Sequence, residues 1–306
     1  MNKEKWTIDN VPDLTGKVII VTGGNSGLGY ESVKAFAAKG AEVVLASRSV
    51  DNGNKAKTDI EKSHPVGNIV TMQLDLSDLN SIRKFSAKFH EKYKRLDVLL
   101  NNAGIMTTPY FLTKDGFEAQ MGTNHLGHFA LTGLLFDLLK KTPDSRIVNV
   151  SSSAHKQGKM DFDNLLFEEG KGYSPIKSYG RSKLSNLLFT YELQRKLEHS
   201  GMHSIAVAAH PGVAQTNLAR YLDGKFWFKL LMPVFKLISQ DQAQGALPQI
   251  RASVDTNVMG GQYYGPHRGM KGDPVVVESN AASHNKKDAK RLWEVSEKLT
   301  GVHFQF

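Results

Sequence analysis

Short β-branched segments alternate with helix-period segments as far as residue 212, and this alternation restricts the fold more than any other feature. The predicted strands are nearly continuous in apolar residues, as expected when both faces of a sheet are covered, and span residues 17–23, 41–48, 69–76, 96–104, 146–152 and 204–212. The predicted helices span residues 27–39, 52–63, 78–93, about 115–140 and 179–199. Such repetition predicts an α/β fold, a doubly wound parallel β-sheet with helices on both faces, in a single domain over residues 1–306.

The composition excludes several classes of protein. The chain has 306 residues and no cysteine, so disulfide scaffolds, thiolate metal sites and cysteine nucleophiles are ruled out. The lack of cysteine fits a reducing compartment, and residues 1–17 lack the apolar core of a secretion signal; a cytoplasmic location is therefore expected. No run of the ~18 apolar residues that a spanning helix needs occurs. The formal net charge of +9 is spread along the chain, which disfavours nucleic-acid binding and favours a small anionic ligand.

Two segments interrupt or follow the alternating pattern. Residues 153–178 come after the fifth strand, where a short loop would suffice, and are predicted to form a surface excursion with some order of its own. An amphipathic helix is predicted at about residues 285–300, with Gly301 as its C-cap.

The turn after the first strand reads TGGNSGLG, residues 22–29. Its glycines allow a diphosphate to approach the backbone, and the helix that starts near Gly27 points free N–H groups and its positive dipole end at the anion. The spacing differs from G-x-G-x-x-G but serves the same physics. The predicted nucleotide contacts are Gly23, Asn25, Ser26, Gly27, Leu28 and Gly29.

The ends of the next two strands bear on which nucleotide is bound. The second strand ends in Ser47 and Arg48 without a carboxylate, and a guanidinium matches a phosphate, so NADP is favoured over NAD; Arg48 as a solvated surface charge is the alternative. Asp75, followed by Leu76, is predicted to bond the adenine amino group. A helix-capping role for Asp75 is also open, although Ser77 is expected to be the cap.

Tyr179 and Lys183 lie one turn apart on one helical face. They are either a packed ring with a snorkelling lysine or a proton donor with the charge that tunes it, and the pair alone does not decide.

Five motifs together resemble the short-chain dehydrogenase/reductase family: TGGNSGLG, NNAG (101–104), NVSS (149–152), YGRSK (179–183) and HPG (210–212). The phrases TNHLGHFALT and RLWEVSEKLTG are most similar to retinol dehydrogenases and related NADP-dependent carbonyl reductases. The resemblance implies a Rossmann-type fold and an oxidoreductase that moves a hydride between NADP(H) and a carbonyl or alcohol.

The resemblance also implies roles for individual residues. Tyr179 is expected to exchange a proton with the substrate oxygen, while Lys183 lowers the pKa of Tyr179 and binds the nicotinamide ribose. Ser152 is expected to donate a hydrogen bond to the same oxygen. Asn124 supports a water that links Lys183 to solvent, or is merely a satisfied core amide.

Further cofactor contacts follow from the same resemblance. Asn102, Ala103 and Gly104 are expected beside the adenosine ribose. The carboxamide is expected to contact Pro211, Gly212, Val213 and Thr216. His125 and His128 are predicted to be ordinary helix residues, since no further ligand completes a metal set; no metal is predicted.

The aromatic-rich segment 219–239 lies where family members carry a substrate lid. Three interpretations stay open: it covers the C-terminal core, it forms a lid for an apolar substrate such as a retinoid, steroid, aldehyde or ketone, or it touches a membrane surface weakly. The predicted partner is a small-molecule carbonyl or alcohol, and a homo-oligomer is left open. An NADP-binding sensor or scaffold without turnover is the alternative function, and a nucleotide-sugar epimerase or dehydratase is a third hypothesis.

Overall fold

A computed structural model describes residues 5–213 and 239–306. Its centre is an eight-stranded sheet in the order β3-β2-β1-β4-β5-β6-β7-β8, parallel except for β8, which runs antiparallel to β7. The strands are β1 Val18–Thr22, β2 Glu42–Ser47, β3 Asn68–Gln73, β4 Val98–Asn101, β5 Arg146–Val150, β6 Ile205–Ala209, β7 Tyr263–Pro266 and β8 Pro274–Val276.

The helices cover both faces of the sheet. They are α1 Gly27–Ala38, α2 Val50–Glu61, α3 Leu79–Lys92, α4 Ala119–Met121, α5 Gly127–Leu134, α6 Phe136–Lys141, α7 Pro175–His199, α8 Gln242–Val254 and α9 Lys286–Thr300. Alternate residues of β1 enter different apolar clusters: Ile19 and Val21 join one, and Ile20 joins the other. The doubly wound, Rossmann-type α/β fold predicted from the sequence is confirmed. The strand order reverses between β1 and β4, which opens a crevice at their carboxyl ends.

The central helix differs from the single helix predicted at about 115–140. It begins at Ala119, passes through a π-helical turn at Gly122–Leu126, and breaks at Leu135 before α6. In the π-turn, the N–H of Gly127 bonds the carbonyl of Gly122, one residue further back than in an α-helix. The periodicity of the sequence cannot reveal this extra residue, because tertiary contacts stabilise it.

Helix α7 also starts earlier than predicted. Pro175 occupies its first turn and Ser174 its N-cap, so Tyr179 lies one turn inside the helix and not at its start. Proline is favoured at this position because its missing N–H has no helical partner there. The excursion after β5 therefore ends at Ser174. Arg181 anchors it by donating to the carbonyls of Lys159 (3.0 Å), Asn164 (2.7 Å) and Leu165 (2.9 Å).

Three elements near the C-terminus were not predicted: α8, β7 and β8. Helix α8 contains Pro248, and β7 ends in proline, so both lack ordinary sequence signals. Gly301, in the left-handed conformation with φ +62°, ends α9 as predicted. Most of the segment 219–239 lies outside the described residues. Within the two described stretches, no helix combines the length and apolarity needed to cross a membrane.

Candidate active site

The turn between β1 and α1 has the features of an anion-binding turn. Helix α1 begins at Gly27, and the side chain of its N-cap, Ser26, makes no capping hydrogen bond. The Ser26 side chain therefore leaves the first N–H groups of the helix available to an anion. A Cβ on Gly29 would lie 2.3 Å from the Gly23 carbonyl oxygen, so only glycine allows this close packing. Asn25 accepts a bond from Ser47 Oγ (3.1 Å), which ties the turn to the end of β2.

The turn after β4 is fixed by residues that the sequence did not single out. Thr22 Oγ1 accepts hydrogen bonds from the backbone N–H groups of Asn102 and Ala103, both at 2.9 Å. The Asn102 side chain donates to the Thr22 carbonyl (2.7 Å) and accepts from Gln249 Nε2 (3.0 Å). Thr22 and Asn102 lie close together because β1 and β4 are neighbours in the sheet. The only sign of this contact in the sequence is that both residues lie at the ends of strands.

Arg48 and Asp75 line one surface cavity of about 470 Å³ together with Lys84, Lys88 and Lys114. Arg48 directly follows β2 and is exposed. It forms no ion pair with any of the described residues. Asp75 Oδ1 accepts from Ser77 N (3.0 Å) and Ser77 Oγ (2.6 Å). The predicted cap of α3 was wrong: Asp78 accepts from the N–H groups of Asn80 and Ser81 instead. Asp78, and not Ser77, directly precedes the helix, and the Ser77 hydroxyl donates to Asp75. Leu76 is buried beside it.

Tyr179, Lys183 and Ser152 meet where β5 ends against α7. Lys183 Nζ lies 5.7 Å from the centre of the Tyr179 ring and donates to the Val150 carbonyl at 3.0 Å. Ser152 Oγ accepts from the Ala154 N–H at 3.2 Å, as the N-cap of a short 3₁₀ helix, Ser153–Gln157. Both Tyr179 and Lys183 are buried, at 8% and 4% exposure.

Burial acts on the pKa values of the pair in opposite directions. It raises the pKa of Tyr179 to about 12, opposed by a hydrogen bond with Ser152. It lowers the pKa of Lys183 to about 8. The lowering of the Tyr179 pKa by Lys183 together with an oxidised nicotinamide ring stays a prediction, because burial of the phenol alone acts in the opposite direction. At neutral pH the phenol holds its proton and most of the lysine is charged.

Asn124 lies in the π-turn, fully buried, with its side chain satisfied. Its Oδ1 accepts from Ile105 N (2.8 Å), and its Nδ2 donates to the Ile105 carbonyl (2.9 Å) and to Ser182 Oγ (3.0 Å). A Cβ on Gly104 would lie 3.2 Å from Asn124 Oδ1 and 3.5 Å from Lys183 Nζ. Gly104 thus leaves space in front of both side chains.

The turn after β6 is held by Gln240, which carries no sequence signal of this role. Gln240 donates to the Pro211 carbonyl (2.8 Å) and accepts from the Gly272 N–H (3.1 Å). Val213 donates to the Met270 carbonyl (2.8 Å), and Gly212 N–H bonds His210 Nδ1 (3.2 Å). Thr216 lies outside the described residues.

Comparison with known proteins identifies the family. The family model described as short chain dehydrogenase matches residues 17–164. Mouse retinol dehydrogenase 12 is 42% identical over 95% of this chain and 89% of its own length, and human retinol dehydrogenase 11 is 41% identical over 94% and 87%. The chain belongs to the short-chain dehydrogenase/reductase family, in the retinol dehydrogenase branch. A crystal structure of an uncharacterized protein from Mycobacterium paratuberculosis superposes with a TM-score of 0.82 at 38% identity, covering 99% of this chain and all of that one.

Membership makes this short-chain dehydrogenase/reductase an alcohol or carbonyl oxidoreductase of a family that binds NAD(P)(H). The residues present fit a dinucleotide. The start of α1 offers main-chain donors, Gly29 could not be larger, and Gly104 keeps the space before Lys183 clear.

Proposed function

We propose that this protein is an NADP-dependent oxidoreductase that interconverts an apolar carbonyl compound and its alcohol. The observation that carries the proposal is the meeting of buried Tyr179 and Lys183 with partly exposed Ser152, beside Gly104 and Asn124. A protein that only binds a nucleotide has no need of a buried phenol next to a buried ammonium group. This arrangement therefore favours turnover over a sensor or scaffold role.

In the proposed reduction, bound NADPH supplies a hydride to the carbonyl carbon. Tyr179, whose pKa of about 12 keeps it protonated at neutral pH, donates its proton to the carbonyl oxygen. Ser152 Oγ accepts the Ala154 N–H and bonds the Tyr179 hydroxyl, so its proton is positioned to turn to the carbonyl oxygen as charge develops there. The Lys183 ammonium stabilises the phenolate that remains, and this stabilisation is lost as pH rises through about 8.

Asn124 is proposed to support this chemistry through its contacts. Its amide holds Ile105 and Ser182, and Ser182 Oγ in turn donates to the Tyr179 carbonyl at 2.8 Å. The proton lost by Tyr179 is replaced from solvent by way of Lys183, with Asn124 maintaining the position of a relay water.

The proposed cofactor contacts follow the crevice between β1 and β4. The diphosphate is held by the main chain of the turn from Gly23 to Gly29, and the 2′-phosphate by Arg48. Asp75 and Leu76 would hold the adenine end, and Asn102, Ala103 and Gly104 would border the adenosine ribose. The carboxamide is assigned to Pro211, Gly212, Val213 and Thr216, and the nicotinamide ribose to Tyr179 and Lys183.

An apolar substrate is supported by the relatives and by the segment after β4. The relatives are named retinol dehydrogenases, which favours a retinoid or a similar long apolar molecule. The segment after β4 carries the exposed side chains of Phe111 and Leu112. Beside them, the Tyr110 ring packs edge-on against Tyr173 at 5.2 Å, and Tyr173 bonds the Thr108 carbonyl at 2.7 Å.

A paired cofactor and substrate screen tests this function. Purified protein is incubated with NADPH or NADH and a panel of retinoid, steroid, aliphatic and aromatic carbonyls, and nucleotide binding and oxidation are followed separately. Oxidation of NADPH with at least one apolar carbonyl, and slower oxidation of NADH, is expected. Tight NADPH binding with no consumption over the whole panel would overturn the proposal in favour of a sensor or scaffold.

A further inference from the structure

His128 lies on α5, just after the π-turn, and its ring touches two parts of the site. Its Nδ1 lies 3.0 Å from the Asn124 carbonyl oxygen, and its Nε2 lies 3.0 Å from Thr22 Oγ1. The side chain is 2% exposed. The residue thus joins the end of β1 to the helix that carries Asn124.

The partners permit only one tautomer. A carbonyl oxygen can only accept, so Nδ1 must carry the proton and donate it to Asn124. Nε2 then has a lone pair and accepts from the Thr22 hydroxyl at 3.0 Å, in competition with the more distant Leu100 carbonyl oxygen at 3.3 Å. Thr22 Oγ1 in turn accepts from the N–H groups of Asn102 and Ala103, so each hydrogen-bonding atom has a consistent direction.

The bonds continue to the catalytic helix. Asn124 Nδ2 donates to Ser182 Oγ, and Ser182 Oγ donates to the Tyr179 carbonyl. An unbroken set of contacts thus runs from the turn at Asn102 and Ala103, through Thr22 and His128, to the backbone of Tyr179.

Starting from the proposed function, we propose that His128 is a positioning residue that aligns the nucleotide-binding turn with the catalytic helix. Its Nε2 fixes the Thr22 hydroxyl under the nucleotide turn, and its Nδ1 fixes the Asn124 carbonyl beside the catalytic tyrosine. In the neutral ring, Nδ1 donates to the Asn124 carbonyl and Nε2 accepts from the Thr22 hydroxyl. Burial, aided by repulsion from Lys183, lowers the pKa of His128 to about 4, so the ring is neutral at physiological pH.

The two ring nitrogens can be tested one at a time. In His128→Asn, the amide occupies the place of Nδ1 and keeps a donor for Asn124, but loses the contact with Thr22. In His128→Gln, the amide reaches the place of Nε2 and keeps an acceptor for Thr22, but loses the donor for Asn124. His125 supplies matched controls, because it is a buried histidine three residues away whose Nε2 bonds Ser296 Oγ on α9 (2.9 Å) and not the site.

Two measurements distinguish the loss of the Thr22 contact from the loss of the Asn124 contact. They are the Kd for NADPH, from nucleotide fluorescence, and kcat with the best carbonyl at saturating NADPH. His128→Asn is expected to raise Kd about tenfold and to change kcat less than about threefold; His128→Gln is expected to do the reverse. His125→Asn and His125→Gln are expected to lower the melting temperature without changing either value more than about threefold.

The proposal is overturned if both His128 variants change Kd and kcat in the same proportion, or if they match the His125 controls. Should His128→Asn fail to fold, Thr22→Val tests the same half, since it removes the hydroxyl and keeps the shape; an unchanged Kd there contradicts the proposal. The Kd for NADPH can be measured without turnover. The role of the Thr22 contact can therefore be tested even if the protein does not catalyse the proposed reaction.

Discussion

The proposed nucleotide-binding turn and the proposed catalytic centre are built in different ways. The turn between β1 and α1 relies on the main chain: glycines give it shape, and helical N–H groups give it charge. The catalytic centre relies on buried side chains, each held by partners far away in sequence, such as Lys183 on Val150 and Asn124 on Ile105. A main-chain site depends on few residue types within a short stretch, whereas a side-chain site depends on the whole fold.

Lys183→Met is expected to have the largest effect, because this residue serves both regions. Loss of the ammonium removes the charge that stabilises the Tyr179 phenolate and a contact to the nicotinamide ribose. We expect kcat to fall about a thousandfold and the Kd for NADPH to rise about tenfold, measured by steady-state kinetics and nucleotide fluorescence. Lys196→Met, on the same helix but packed over Trp293 at 4.8 Å, is the control. A fall in kcat alone would separate the two regions completely.

Gly29→Ala is expected to damage only the main-chain site. The new Cβ would lie 2.3 Å from the Gly23 carbonyl oxygen, so the turn must shift. We expect the Kd for NADPH and for NADH to rise at least about tenfold, with kcat at saturating nucleotide within about threefold. An equally large fall in kcat would show that the turn and the catalytic centre are not independent.

Arg48→Gln is expected to change cofactor choice. The loss of the guanidinium should raise the Kd for NADPH about tenfold or more and leave the Kd for NADH within about threefold. Lys84→Gln is the matched control, because Lys84 lines the same cavity and is expected to change neither value more than about threefold. Equal losses for both nucleotides would make Arg48 an ordinary surface charge.

Acid titration of stability is expected to show a smaller difference between the regions. The catalytic half contains buried histidines, whereas His64 and His90 in the first half are accessible to solvent. Burial lowers the pKa of His128 from 6.5 to about 4. Between these two pH values, this histidine is therefore protonated in the unfolded chain and neutral in the folded chain. Stability should therefore be complete above about pH 6.5 and fall as pH drops towards 4, by about 3 kcal/mol for this residue. The free energy of unfolding of His128→Leu, measured with urea at each pH, should fall less steeply between pH 6.5 and 4 than that of the wild type. An identical pH dependence would contradict the lowered pKa of His128.

The main-chain turn carries clearer sequence signals than the surroundings of the side-chain site. Two local patterns can be recognised from the sequence alone: the alternation of strands and helices, and the glycines from Gly23 to Gly29. Thr22, Gln249 and Gln240 were missed because their roles come from strand order and tertiary contacts.

The catalytic residues themselves were recognised only through family motifs. Their environment was not: the π-turn around Asn124 and the rise in the pKa of Tyr179 depend on packing and burial. The helix predicted from residue 179 begins earlier, at Pro175, because proline suits the first turn of a helix.

Tyr179→Phe tests the central claim most directly, with Tyr191→Phe as its control. Tyr191 is a buried tyrosine on the same helix, and its hydroxyl bonds Ser279 Oγ at 2.8 Å, away from the site. For each variant, NADPH binding and carbonyl-dependent NADPH oxidation are measured side by side. We expect Tyr179→Phe to bind NADPH within about threefold of wild type and to lose turnover about a thousandfold, while Tyr191→Phe keeps both. Wild-type turnover in Tyr179→Phe would contradict the account.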